Sequence, residues 1–542
     1  MLLSMARIIC AKWTATQVHS EVWVIPFCEH YQGETMVKRA GGSLLLSVRI
    51  DHAAHQPVST QLCMALREMI LTGGFQPGAR LPASRTLAQD LGLSRTTVIE
   101  VFDRLTAEGL VESRTGSGTF VSAALGADRP MPTKLEAAAP REQIAPTLST
   151  VMAQAVQRFG ARQRLPHVTR AFTTALPAFD AFPMAQWARL SAKYLRGGRD
   201  DVMGYGDPNG SPQLRRAIAS HLRANRGITC DPEQLFIVGG AQQAFHLIGS
   251  TLLNPGDKVW FENPGAIGAR NSLIAAGAAL VPVPVDDDGL RVEEGLRLAP
   301  DFRLAFVTPS HQQPLGSVMS LERRFALLHA AQQAGAWIIE DDYDGEFFFG
   351  GRPPPTLKSV DTTGLVIYVG TFSKSLFPAL RLGYLLAPPG LVETFRTIMS
   401  NFLQGVPSHT QAVVAEFIDE GHFAAHLRRM RPLYLERHEA LVAASRKHLR
   451  GLLDIVPTHG GLHTIARLPA SVSETTVAQA AEQRGIATSP IGRFAIAPID
   501  DNGLVLGFGS VAPPTIEAGV RVLAEVLQAQ AAAAPGPKRR AA

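Results

Sequence analysis

A chain of 542 residues is too long for one core, and at 46% hydrophobic residues it has the apolar content to fill two or three. Its 52 Lys and Arg against 47 Asp and Glu leave a net charge of +5, which permits a nucleic-acid partner without arguing for one. Cys10, Cys28, Cys63 and Cys230 make no CxxC pair, so neither a disulfide framework nor a metal site is indicated. No apolar run nears the roughly 18 residues of a membrane span, and a cytoplasmic protein with no membrane contact is expected.

Residues 1–43 keep neither a 2- nor a 3.6-residue period and end at "KRAGGS". They read as an extension that does not fold with the rest, and Met36 is an alternative start. "LLLSVRI" then reads as a short strand opening a domain over 44–122. In "VSTQLCMALREMILTGGF" the apolar positions Val58, Leu62, Leu66, Met69 and Ile70 hold a helical period, and Gly73 and Gly74 stop it. "SRTLAQDLG" runs from an N-cap at Ser84 to Gly92, and "SRTTVIEVFDRLTAEG" repeats the device from Ser94 to Gly109. Val98, Val101, Phe102 and Leu105 share one face of the latter helix, leaving Arg95, Thr96, Thr97 and Glu100 outward. "LVESRTGSGTFV" reads as a hairpin with a glycine-loosened tip.

Helix, helix-turn-helix and hairpin make a winged helix. A helix N-terminus bearing arginine and hydroxyls suits the major groove of duplex DNA, and the wing adds Arg114. Residues 56–122 nevertheless hold six Arg and six acidic residues, so placement must supply what net charge does not; a winged helix used only for protein contacts stays open.

Residues 123–166 turn Ala- and Pro-rich and read as a linker, with "LSTVMAQAVQRF" as a short helix inside it. As flexible coil it spans about 35 Å, enough for two DNA-binding heads to reach successive half-sites. Over 167–530, "QLFIVGG", "KVWFENP", "LAFVTPS", "WIIEDDY", "LVIYVG" and "GYLLAP" are buried strands alternating with helical stretches, the rhythm of an α/β domain with a mostly parallel sheet. Residues 531–542 read as a disordered tail.

The strand ends of such a sheet gather ligands. Gly240, Ala241 and Gln242 lie where a strand hands over to a helix, an anion seat of free amides. Thr371 and Ser373 add hydroxyls, and Arg381 can grip the same anion with two parallel hydrogen bonds. Asp341 ends a buried strand, where a carboxylate can pair with a protonated ring nitrogen. With the amine of Lys374, these residues make the arrangement that holds pyridoxal 5'-phosphate through a Schiff base.

"GARLPASRTLAQDLGLSRTTVIEVFDRLTAEGLVESRTGSGTFV" resembles the winged helix-turn-helix of GntR-type bacterial transcription regulators. The resemblance implies operator contacts from Arg85, Ser94, Arg95, Thr96 and Thr97, and from a wing of Arg114, Thr115, Gly116 and Ser117. The blocks "YGDPNGSPQLRRAIASHL", "NPG", "VTPSHQQPLG", "IIEDDYDGEF" and "GTFSKSLFPALRLGY" resemble a fold-type I aminotransferase. That implies a Schiff-base role for Lys374, Asp341 at the pyridine nitrogen, Tyr343 and Gln312 near the ring hydroxyl, and Thr371, Ser373 and Arg381 at the phosphate. It also implies that Tyr205 reaches the phosphate of the partner subunit.

The fusion is similar to the MocR/GabR-like regulators. It implies a cytoplasmic, head-to-tail homodimer that binds double-stranded DNA and senses an amine, an amino acid or pyridoxal phosphate itself. A working aminotransferase with an appended DNA-binding module, and a degenerate dimerisation scaffold, are the alternatives.

Two departures bear on the choice. "ENPGAIGAR" has Ala266 where relatives carry an aromatic that stacks on the cofactor ring. Aminotransferases also carry an arginine on a late strand for the substrate carboxylate, and "NGLVLGFGSV" has none. Arg270 and Arg493 are the candidate substitutes. Without such an anchor a substrate is poorly oriented, and little or no turnover is expected.

Overall fold

The computed structural model describes residues 48, 50–51, 53–54, 56–127, 148–161, 169–196, 200–351 and 353–533. Met36, the rest of residues 1–43 and the tail from 534 lie outside them. Two compact units divide between Ala145 and Pro146.

In the first unit, α1 (Val58–Leu71), α2 (Ser84–Asp90) and α3 (Arg95–Ala107) precede β1 (Val111–Arg114) and β2 (Gly118–Val121), a winged helix. The expected stripe closes the core: Val98, Val101 and Leu105 of α3 are fully buried, alongside Leu62 and Leu66 of α1. Ser94 caps α3, its Oγ accepting from the Thr97 amide at 3.1 Å. At α2 the sequence reading was one residue off. Ser84 is the first helical residue, and Ala83 stands at the cap without a side-chain bond. Of "LLLSVRI" only Val48 and Ile50 are described; neither is in a strand, and both pack at the edge of this core. One turn, α4 (Ala124–Ala127), follows the wing.

The stretch expected as linker carries α5 (Thr150–Arg158), which belongs to the second unit. Its Ala155 is buried, and the following Gly160 exchanges hydrogen bonds with the Asn271 amide at 2.8 and 2.9 Å. The short helix read in "LSTVMAQAVQRF" is therefore present, but docked on the second unit rather than part of a free linker.

The second unit is built on an eight-stranded sheet of β3 (Leu235–Val238), β4 (Lys258–Asn263), β5 (Ala279–Asp286), β6 (Gly289–Leu290), β7 (Leu304–Val307), β8 (Trp337–Asp342), β9 (Val366–Thr371) and β10 (Gly383–Leu386). The spatial order is β3-β10-β9-β8-β7-β4-β5-β6. The pairs from β5 through β4, β7 and β8 to β9 are parallel, while β10 runs antiparallel to both neighbours. β3, β7 and β10 are buried on both faces, which is why they read as unbroken apolar runs rather than alternating ones. A smaller antiparallel sheet orders β11 (Asp454–Ile455), β12 (His463–Arg467), β14 (Gly503–Gly507) and β13 (Ser489–Pro490). Among the described residues no helix is long and apolar enough to cross a membrane.

Candidate functional site

Register brings one end of three strands together. Val238 of β3 pairs with Gly383 of β10, and Gly383 pairs with Thr371 of β9. After Val238 the chain turns at Gly240, whose φ of +100° suits glycine, and starts the helix Ala241–Leu252. A side chain on Gly383 would come within 3.2 Å of Gly240 Cα and 3.3 Å of the Ala241 nitrogen. Thr371 Oγ1 accepts from the Ser373 amide at 3.2 Å. Arg381 takes a left-handed conformation, φ +48°, and its guanidinium lies 3.7–3.8 Å from where a Cβ on Gly240 would sit. The helix N-terminus, the end of β9 at Thr371 and the Arg381 guanidinium thus meet at one end of the sheet, where a Cβ at 240 would sit in contact with the guanidinium. Gln242 follows Ala241 in the first turn of that helix, and its side-chain amide lies 3.5 Å from the Gly268 carbonyl.

Lys374 sits on the one-turn helix Phe372–Ser375 directly after β9. Its Nζ donates to the Ala175 carbonyl at 2.8 Å, and Ala175 holds a positive φ of +65°. Residues 172–175 run beside β14, where the Gly507 amide donates to the Phe172 carbonyl at 3.0 Å.

Asp341 lies near the end of β8, paired in register with Val369 of β9. Its carboxylate is buried, and Oδ1 has no hydrogen-bond partner among the described residues. Burial, then the charges of Asp342, Asp344 and Glu262, push its pKa well above the carboxylate range, with Lys374 pulling the other way. Such a group needs a cation against it to stay ionised. A protonated ring nitrogen is such a cation, so the donor set fits pyridoxal phosphate. Tyr343 lies beside it, its hydroxyl 3.0 Å from His311 Nδ1, which is also 3.1 Å from Asp344 Oδ2.

The structure separates the two adjacent glutamines. Gln312 is buried with its amide spent: Nε2 donates to Glu262 Oε2, Pro264 O and Gln313 O, and Oε1 accepts from the Leu315 amide. Gln313 is the one that lines the Lys374 pocket, with Tyr343 and Asp344. Gln312 therefore braces the loop rather than facing the ring position expected of it. Its partner Glu262 is pushed up to about 7 by burial, opposed by bonds from Thr308 and Gln312.

Sequence reading also missed His463, Leu462, Phe494 and Val505, which close the pocket from the smaller sheet and its 3-10 turn. No spacing pattern links them to Lys374. The donor atoms of His311, Asp344 and His463 lie within 4.8 Å of one another, but His311 is bonded to Asp344, and His463 Nε2 lies 3.1 Å from the Pro314 carbonyl. Ala266 is buried at the N-cap of the helix Ile267–Ala275. The candidate substitute arginines are engaged elsewhere. Arg270 Nη1 donates to the Ala495 carbonyl at 2.9 Å, and Arg493 donates to the Ala161 carbonyl at 3.2 and 2.7 Å.

On the first unit, Arg95, Thr96 and Glu100 are exposed and Thr97 is half-buried at the start of α3. Arg85 is exposed on α2. At the wing tip Arg114, Thr115, Gly116 and Ser117 are all exposed, with Arg114 stacked 4.7 Å over the Phe120 ring. Ser94 spends its Oγ on Thr97, 2.8 Å from the Thr97 hydroxyl.

Comparison with known proteins bears on both units. Residues 59–121 match the family model "Bacterial regulatory proteins, gntR family", and residues 177–504 match "Aminotransferase class I and II". The chain is 42% identical to "Probable rhizopine catabolism regulatory protein MocR" of Rhizobium meliloti, over 88% of this chain and 94% of that one. It is 33% identical to "HTH-type transcriptional regulator TauR" of Rhodobacter capsulatus, over 86% and 96%. Among solved structures, an archaeal alanine:glyoxylate aminotransferase superposes with a TM-score of 0.63 at 26% identity, covering 70% of this chain and 95% of that one.

Proposed function

The chain belongs to the GntR-family HTH regulators that carry an aminotransferase-like domain, and from that premise we propose that it regulates transcription in the cytoplasm by sensing an amine through bound pyridoxal phosphate. The observation that carries this is Asp341 Oδ1, buried without a partner in the same unit as Lys374 and the Gly240–Arg381 cradle. When bound, pyridoxal phosphate supplies an aldehyde that a protein amine or a ligand amine can hold.

The chain's own residues do the rest. The Ala241 helix start, Thr371, Ser373 and Arg381 would hold the phosphate, Asp341 would keep a proton on the ring nitrogen, and Tyr343 and Gln313, which line the pocket with Lys374, would lie beside the ring. Lys374 Nζ is tethered to Ala175 O, so a ligand that alters what Lys374 holds acts on residues 172–175 and, through Phe172, on β14. That segment is the route from pocket to conformation.

A homodimer fits the surface. Tyr205 is 85% exposed, Met203 81% and Phe402 77%, a large apolar fraction for solvent. Ser408 Oγ, a few residues beyond Phe402, is 3.3 Å from the Gly204 carbonyl, so the three belong to one region. A partner subunit covering it would receive Tyr205, as the head-to-tail arrangement requires.

The test is operator binding. Duplex fragments selected by the protein from a random pool are expected to show a footprint or affinity that changes when pyridoxal phosphate is added, and again with an effective amine. A footprint indifferent to both would leave a DNA-binding protein without a sensor. Arg95→Ala should weaken the selected site by about 5- to 150-fold, the 1–3 kcal/mol of one bidentate base contact, while changing non-specific binding far less. Equal losses on both kinds of DNA would move Arg95 to a phosphate-contacting role.

A further inference from the structure

We infer that the Lys374 pocket selects a primary amine that carries no carboxylate, and discriminates against α-amino acids. This rests on the reading of Lys374 as the residue that carries pyridoxal phosphate.

An amino acid bound beside a lysine-held cofactor needs a cation for its carboxylate, because a desolvated, unpaired carboxylate is strongly disfavoured. Among the described residues lining the pocket there is no arginine. The late strand β14 offers Val505 instead, a buried apolar wall. Arg270 is fixed on Ala495 O, and a side chain on Gly160 would sit 2.1 Å from its Nη2, so α5 and its following turn cover it. Arg493 is fixed on Ala161 O.

His463 cannot stand in. Burial and the neighbouring His311 push it down to about 4, so it is neutral near pH 7, and its Nε2 is given to Pro314 O. The rest of the lining combines apolar Leu462, Phe494 and Val505 with the uncharged polar groups of Thr174, Gln313 and Tyr343; apart from Lys374, which holds the cofactor in this reading, it offers no cation and carries one carboxyl group, Asp344. Among the described residues Asp344 Oδ1 is buried without a hydrogen-bond partner. It repels a carboxylate and can accept from a hydroxyl or a second N–H of an amine.

The experiment uses the full-length holoprotein and matched pairs that differ by the carboxylate: ethanolamine against serine, and isobutylamine against valine. Titration is followed by the visible absorbance of the bound cofactor. Each amine is expected to reach half-saturation at a concentration at least tenfold below its amino acid. Equal or tighter binding of the amino acids overturns the inference and would place a carboxylate anchor elsewhere, on the partner subunit for instance. Val505→Arg, if folded by circular dichroism, should reverse the order; a folded variant that keeps the native order removes Val505 from the ligand wall. The native pairs decide the inference even if that variant fails to fold. Should no amine perturb the spectrum, the inference fails, and borohydride labelling of Lys374 tells whether the cofactor reading fails with it.

Discussion

Lys374→Ala protein, incubated with pyridoxal phosphate and reduced with borohydride, is expected to lack the specific phosphopyridoxyl group that the native chain should carry on the peptide containing Lys374. The contrast should be close to all-or-none at the mapped peptide, because the other described lysines lack the cradle beside Lys374. Lys193, Lys258, Lys358 and Lys447 each pair with a carboxylate. Lys374 is half-buried with its amine on a backbone carbonyl, and it shares the end of β9 with a phosphate cradle. Peptide mapping is the readout, since exposed lysines pick up some aldehyde non-specifically. Labelling of the variant at the native level would support the scaffold alternative, in which the aminotransferase-like unit only dimerises. If the label is lost but operator binding still responds to pyridoxal phosphate, the cofactor acts without the covalent bond.

The winged helix was almost wholly readable, because its signals are local. A 3.6-residue period, glycines with positive φ at 92 and 109 and the Ser94 cap each act within one turn. The slip at Ser84 is a slip of one residue, and a cap depends on one residue. The central strands were readable as apolar runs for the opposite reason: burial on both faces erases periodicity but leaves length and composition.

What stayed hidden lies in backbone atoms and in long-range contact. β5 escaped because "ALVPVPVD" carries two prolines, which argue against a strand unless its amides are spare. The smaller sheet is made partly of two-residue strands, too short for any period. Nothing in "HQQP" says which glutamine faces the pocket, and the carbonyl of Ala175 offers no side chain to notice. Ala266 and the missing arginine were visible as departures, but only the position of Val505 turns the second into a statement about ligand chemistry.

Asp342→Ala is expected to destabilise the second unit by about 3–5 kcal/mol, the cost of stranding a buried charge. The stranded charge is Arg226, at the end of the helix Pro212–Arg226. Both side chains are 3% exposed and they form an ion pair, with Arg226 also donating to Gly345 O at 3.0 Å and Ser310 Oγ at 2.9 Å. The Tyr368 hydroxyl donates to Asp342 Oδ2 at 2.5 Å. Burial opposes the Arg226 charge, yet Asp342, with Tyr368 and Glu346, raises its pKa above the ordinary value. Removing the carboxylate leaves burial unopposed by its main partner. Asp342 is also the neighbour of Asp341 on β8, so the loosened strand end should weaken pyridoxal phosphate retention as well as stability. Pairing Asp342→Leu with Arg226→Met tests the cause, since a buried ion pair exchanged for apolar groups often costs little. The double variant should lie nearer the native urea midpoint than Asp342→Ala does. If it is as unstable as Asp342→Ala, the stranded charge is not the main cause of that variant's instability, and the lost Tyr368 hydrogen bond takes its place.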